Sequence, residues 1–95
     1  MPYFVYILGS RPGGALYVGM TNDLRKRVAQ HRARSVKGHT ARYNVHTLYW
    51  FEMHDTLEAA LRREKAIKRW HRAWKIDLIR RTNPTWRDVA SDIPL

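Results

Sequence analysis

Five residues spread along a chain of 95 could act together: Tyr6, Tyr17, Arg27, His31 and Glu64. Two phenols, a guanidinium, an imidazole and a carboxylate form an inventory suited to phosphoryl chemistry. A divalent metal ion on Glu64 would neutralise a phosphate and lower the pKa of a bound water, while Arg27 stabilises charge on the transition state. Tyr17 or His31 could move the proton. A phenol, with an ordinary pKa of about 10, needs a nearby cation to serve as a base near neutrality.

Taken singly, each of these residues has a plainer explanation. Tyr6 and Tyr17 suit strands by propensity. Arg27 could lie across the core edge with its stem packed, and His31 could be a satisfied, partly buried histidine. Glu64 is harder to dismiss. Leu57, Ala60, Leu61 and Ile67 recur at helical spacing as a buried stripe, and Glu64 falls in its middle. An ionised carboxylate there needs a cation, a strong donor or a metal, because burying its charge alone is costly. The plain alternative is a solvated ion pair with Arg63 or Lys68. A preceding helix repeats the pattern, with Arg27 and His31 sharing a face with Leu24 and Val28.

Tyr3 to Leu8 is aromatic and β-branched, apolar on both alternating faces, which suits a central strand covered on each side. Ser10-Arg11-Pro12-Gly13-Gly14 is turn chemistry, and strand character resumes from Leu16 to Met20, giving a hairpin. Closure at Gly9 and Gly14 would set Tyr6 opposite Tyr17. Gly19, two residues beyond Tyr17, signals a close backbone approach. Thr21 or Asn22 caps a first helix, with Asp23 in its first turn, running to about Arg34. Residues 35–44 read as a basic loop containing Lys37. A third strand spans Leu48 to Met53. Asp55 and Glu58 suggest a capping box for a second helix to Trp70. A third helix follows after a bend, from His71 to Arg81, ended by Asn83-Pro84, with a last short turn over Trp86 to Val89. If both long helices pack on the face bearing Tyr6 and Tyr17, all five groups converge. The expected fold is α/β in the α+β sense, a three-stranded antiparallel sheet flanked by helices, as one domain over residues 1–95.

Composition narrows the partners. A net charge of +10 and a pI of about 10.7 attract polyanions before any specific contact forms, so nucleic acid leads. Neither a long apolar run nor an amino-terminal signal pattern points to a membrane, and a cytoplasmic location is expected. The absence of cysteine removes disulfides, thiolate zinc sites and cysteine nucleophiles. The five histidines show no zinc-motif spacing.

Phe4-Val5-Tyr6, Tyr17-Val18-Gly19, Arg27, His31 and Glu64, in this order and spacing, resemble the GIY-YIG nuclease domain. Arg63-Glu64, Ile67-Lys68-Arg69-Trp70, Ala73-Trp74-Lys75 and Asn83-Pro84-Thr85-Trp86 are similar to the small stand-alone bacterial members of that superfamily. Phe4 departs from the usual first glycine, a matter of packing, since Tyr6 matches the functional tyrosine. The resemblance implies a three-stranded antiparallel sheet, metal-dependent hydrolysis of phosphodiesters in DNA or RNA, and one Mg²⁺, or Mn²⁺ in its place, held by Glu64. It assigns Tyr17 as general base, Tyr6 as its assistant, Arg27 as phosphate stabiliser and His31 as a proton-transfer or positioning group. Asn83 would brace the site.

Nucleic acid would be held by Arg27, by Lys37 of the basic loop, and by a tract containing Arg62, Arg63, Lys65, Lys68, Arg69, Arg72 and Lys75. Trp70 and Trp74 lie within that tract, with core burial the expected role for both. The chain carries no separate targeting domain, so weak sequence selectivity and steep salt dependence are expected. Two other readings share the scaffold: a non-catalytic nucleic-acid-binding module, and an accessory subunit whose protein partner delivers the target.

Overall fold

The structure is a computed structural model that describes residues 2–33 and 45–94. The expected end of the first helix near Arg34 and the basic loop with Lys37 lie outside the described residues. The elements are β1 (Tyr3–Gly9), β2 (Leu16–Thr21), α1 (Leu24–Arg32), β3 (Thr47–His54), α2 (Leu57–Arg69) and α3 (Arg72–Thr82), then a 3₁₀ turn, Ala90–Asp92. The three strands form one antiparallel sheet in the order β2-β1-β3. The unbroken apolar run of the first strand is explained by its central place, covered on both faces.

The two faces carry separate cores. Phe4, Tyr6 and Leu8 of β1 join Leu24 and Val28 of α1, with Val89 and Ile93 from the carboxy-terminal segment. Val5 and Ile7 join Ala60 and Ile67 of α2 and Ile79 of α3. Each fully buried Val, Leu or Ile contributes about 1.5–3 kcal/mol. The placement of α2 corrects one expectation: α1 packs on the face bearing Tyr6 and Tyr17, whereas α2, with Glu64, packs on the other. Helical periodicity identifies a buried stripe, but not the side of a two-faced sheet that it covers.

The hairpin register also differs from expectation. Tyr6 pairs with Gly19 and Leu8 with Tyr17. Closure comes one step beyond the glycines, where the Ser10 amide donates to the Ala15 carbonyl at 3.1 Å. Inside it, the Gly14 amide donates to Arg11 O at 2.8 Å across Pro12 and Gly13, and Gly13 has φ +74°. This is the type II turn that proline at its second position and glycine at its third favour. The shift is two residues, so the faces are unchanged and both phenols stay on one side.

β3 carries a bulge between its pairings to Ile7 and Leu8: Trp50 opposes Ile7 and Leu48 opposes Leu8. Tyr49 is the extra residue, and strict alternation is broken so that Tyr49 and Trp50 enter the same core. Helix starts differ by one residue from expectation. Asp23 itself caps α1, accepting from the Lys26 amide at 3.2 Å, while Thr21 Oγ1 accepts from Asp23 N at 3.1 Å. Thr56, not Asp55, caps α2, accepting from the Ala59 amide at 3.1 Å. Leu57, expected in the buried stripe, is 44% exposed in the first turn. The last turn begins at Ala90 instead of Trp86.

Candidate functional site

β1 and β2 present Tyr6 and Tyr17 side by side, with ring centroids 6.4 Å apart. Across the pair, Gly19 leaves room for Tyr6: a β-carbon built there would lie 2.4 Å from the Tyr6 hydroxyl and 3.0 Å from the Tyr17 ring. α1 covers the pair. Its buried residues Leu24, Val28 and His31 follow the i, i+4, i+7 spacing that aims one face at a sheet. The His31 ring lies 6.3 Å from that of Tyr6 and 5.5 Å from that of Tyr17. Its Nε2 is 3.5 Å from the Tyr6 oxygen. Its Nδ1 is buried without a hydrogen-bond partner among the described residues.

The electrostatics separate the two phenols. Tyr6 is 1% exposed. Burial pushes its pKa well above the ordinary phenol value, and the neighbouring Tyr17 and Glu64 push the same way, against Arg27. Tyr6 therefore remains a protonated hydroxyl. His31 moves the other way, its pKa lowered first by burial and then by the Arg27 guanidinium, so it is neutral at pH 7. Tyr17 is only partly buried.

Arg27 stands half-buried on α1, one turn before His31, and lines a cleft of about 210 Å³ with Thr21, Asn22, Asp23, Lys26 and Gln30. Glu64 occupies the middle of the α2 stripe between the buried Ala60 and Ile67, its side chain 15% exposed. It pairs with Lys68 Nζ at 3.3 Å. Arg63, the other expected cation, instead meets Glu52 Oε2 at 2.9 Å and stacks over Trp70. Glu64 acts on the Tyr6 hydroxyl through its charge.

Among the described residues no group of three or more His, Cys, Asp or Glu side chains could hold a metal ion. One shielded carboxylate nonetheless fits a hard cation such as Mg²⁺, which keeps several waters and takes its remaining ligands from substrate phosphate.

The structure divides the remaining residues singled out from sequence. Arg62, Lys65, Lys68 and Arg69 line the exposed side of α2. Arg72 is engaged elsewhere, donating to the carbonyls of Gly13, at 2.6 Å, and Gly14 in the hairpin turn. Trp74 contradicts its expected core role, being 57% exposed, and Trp70 is partly buried. Its place on a short helix after a bend turns Trp74 outward. Asn83 is buried, but its amide donates to Tyr49 O at 3.1 Å and Arg87 O at 2.7 Å, and Arg87 N donates to Asn83 Oδ1 at 2.9 Å. It ties the carboxy-terminal segment to the β3 bulge. The network of Glu52, His54 and Arg63 was missed, because partners on different elements leave no periodic signal.

A small antiparallel sheet with helices on both faces and a tyrosine pair beneath a histidine defines a recognisable class. The GIY-YIG catalytic domain model matches residues 2–77, a span containing all five candidate residues. A UPF0213 protein of Staphylococcus aureus is 39% identical over 79 residues, covering 82% of this chain and 94% of that protein. The solution NMR structure of a UPF0213 protein from Bacillus halodurans superposes with a TM-score of 0.58 at 25% identity, covering 94% of both chains. The chain belongs to the GIY-YIG catalytic domain family.

Proposed function

We propose that the protein is a metal-dependent nuclease hydrolysing phosphodiesters, in DNA before RNA. The observation that carries this reading is the joint placement of Tyr6, Tyr17 and His31 in ring contact, with the charges of Arg27 and Glu64 acting on the same buried hydroxyl. Membership of a catalytic-domain family and the net charge of +10 support it.

Glu64 is the residue that would hold Mg²⁺ or Mn²⁺. When bound, the ion supplies charge neutralisation at phosphate and an activated water. Tyr17, the accessible phenol, is the general base. Arg27 stabilises the charge that grows on the phosphate. Tyr6 stays protonated and fixes the Tyr17 ring. Neutral His31, its Nε2 facing the Tyr6 oxygen, holds that hydroxyl in place. Lys68 must release Glu64 before a metal ion binds, which its half-exposed side chain permits.

The test is incubation of purified protein with single-stranded, duplex, flapped and branched DNA, and with RNA, in Mg²⁺ and in chelator. Metal-dependent cleavage of at least one substrate supports the reading, and intact substrates throughout refute it. One observation favours a second reading, a binding module that does not cut: the Lys68 ammonium already compensates Glu64. That module would bind nucleic acid equally with metal and with chelator.

A further inference from the structure

Away from the tyrosine cluster, α2 and α3 enclose a cleft of about 430 Å³ lined by Arg63, Trp70, Trp74, Asp77, Leu78 and Arg81. Trp74 stands in it 57% exposed, an unusual setting for the largest apolar side chain. It is not loose: its ring meets Trp70 at 6.2 Å and 76°, and His71 at 5.2 Å and 88°. Trp70 already has the Arg63 guanidinium 5.3 Å from its ring centroid. Trp74 is therefore the aromatic surface that remains open. It is held at low entropic cost, having only two side-chain torsions.

We propose that this cleft is a stacking subsite for an unpaired base of a single-stranded nucleic acid, with Trp74 as the platform. The proposal rests on the nucleic-acid reading above. Two features select this occupant over an apolar peptide. Residues 57–82, the helices that bound the cleft, carry nine lysines and arginines against three carboxylates, an excess of positive charge that draws a phosphate backbone towards them. The walls combine an aromatic plane with two guanidinium groups, Arg63, paired with Glu52 at 2.9 Å, and Arg81, paired with Asp77 at 2.8 Å, whose planar faces and aromatic neighbour suit a stacked base without reading sequence. Arg63 also adjoins Glu64 on α2, about 100° around the helix. A base locked in a duplex cannot enter the cleft.

The experiment is fluorescence anisotropy in chelator, where nothing is cut, with labelled oligo(dT), oligo(U) and a duplex of equal length. It compares the native chain, Trp74→Ala and Trp74→Phe, each checked for folding by its melt. Trp74→Ala should weaken single-strand binding about 5- to 100-fold. Duplex affinity and the salt slope should be unchanged, because no phosphate contact is lost. Trp74→Phe should recover most of the loss. The dT and U arms decide whether the subsite takes DNA, RNA or both. Unchanged single-strand affinity in Trp74→Ala, or an equal loss on duplex, overturns the subsite and leaves the nuclease reading standing. If the native chain binds no nucleic acid at all, both fall.

Discussion

Gly19 sits directly across the hairpin from Tyr6, and a β-carbon on it would meet the Tyr6 hydroxyl at 2.4 Å. The glycine thus makes room for the buried phenol, which is enclosed and cannot swing aside. Gly19→Ala should cost about 1–3 kcal/mol by overpacking. Urea denaturation would show this as a lower midpoint at unchanged slope, and cleavage by the folded fraction should fall as Tyr17 is displaced.

His31 gives a pH dependence with a definite direction. Its native pKa is lowered, so below the ordinary histidine value of 6.5 the unfolded chain binds the proton first. Its contribution to stability is constant above about pH 6.5, declines as pH falls through the window down to the native pKa, and then levels off. His31→Gln should show a smaller loss of melting temperature between pH 7 and pH 5 than the native chain. Arg27→Gln removes one of the two causes of the shift, and NMR titration of His31 should report a higher pKa in that variant.

The two tyrosines should separate in kinetics. Tyr17→Phe removes the accessible phenol and should lower kcat by about 10²- to 10⁴-fold with little change in melting temperature. Tyr6→Phe removes a hydroxyl that burial keeps protonated, so its effect on kcat should be smaller. A single-turnover series with both variants in Mg²⁺ decides the assignment, and a larger loss for Tyr6→Phe would reverse the two roles.

Asn83 is expected to matter for stability and not for chemistry. Asn83→Ala leaves the Tyr49 carbonyl and both Arg87 backbone groups without their partner. A cost of about 2–4 kcal/mol follows. Calorimetry should show it, while the kcat of the folded protein stays within about threefold of native.

Much of the fold was legible because it rests on local pattern. The doubly apolar Tyr3–Leu8 run identified the central strand, and the turn residues identified the hairpin. Each error arose where a choice is made outside the pattern. Moving closure from Gly9 and Gly14 to Ser10 and Ala15 depended on a single turn hydrogen bond, and the two-residue slip kept every face intact. The side of the sheet taken by α2 is set by connectivity, so periodicity identifies its buried stripe and the anomaly of Glu64, but not the face that the helix covers. Trp70 and Trp74 were assigned to the core from residue habit, but α3 turns Trp74 outward. The Tyr49 bulge and the ties of Asn83 involve partners distant in sequence, which no single stretch reveals.

Glu64→Gln removes the negative charge on which metal binding depends and keeps the shape of the side chain. Single-turnover cleavage in Mg²⁺ by the best substrate of the panel should fall below detection, while the melting curve and nucleic-acid affinity in chelator stay native. Cleavage by Glu64→Gln at the native rate would rule out Glu64 as the metal-holding residue.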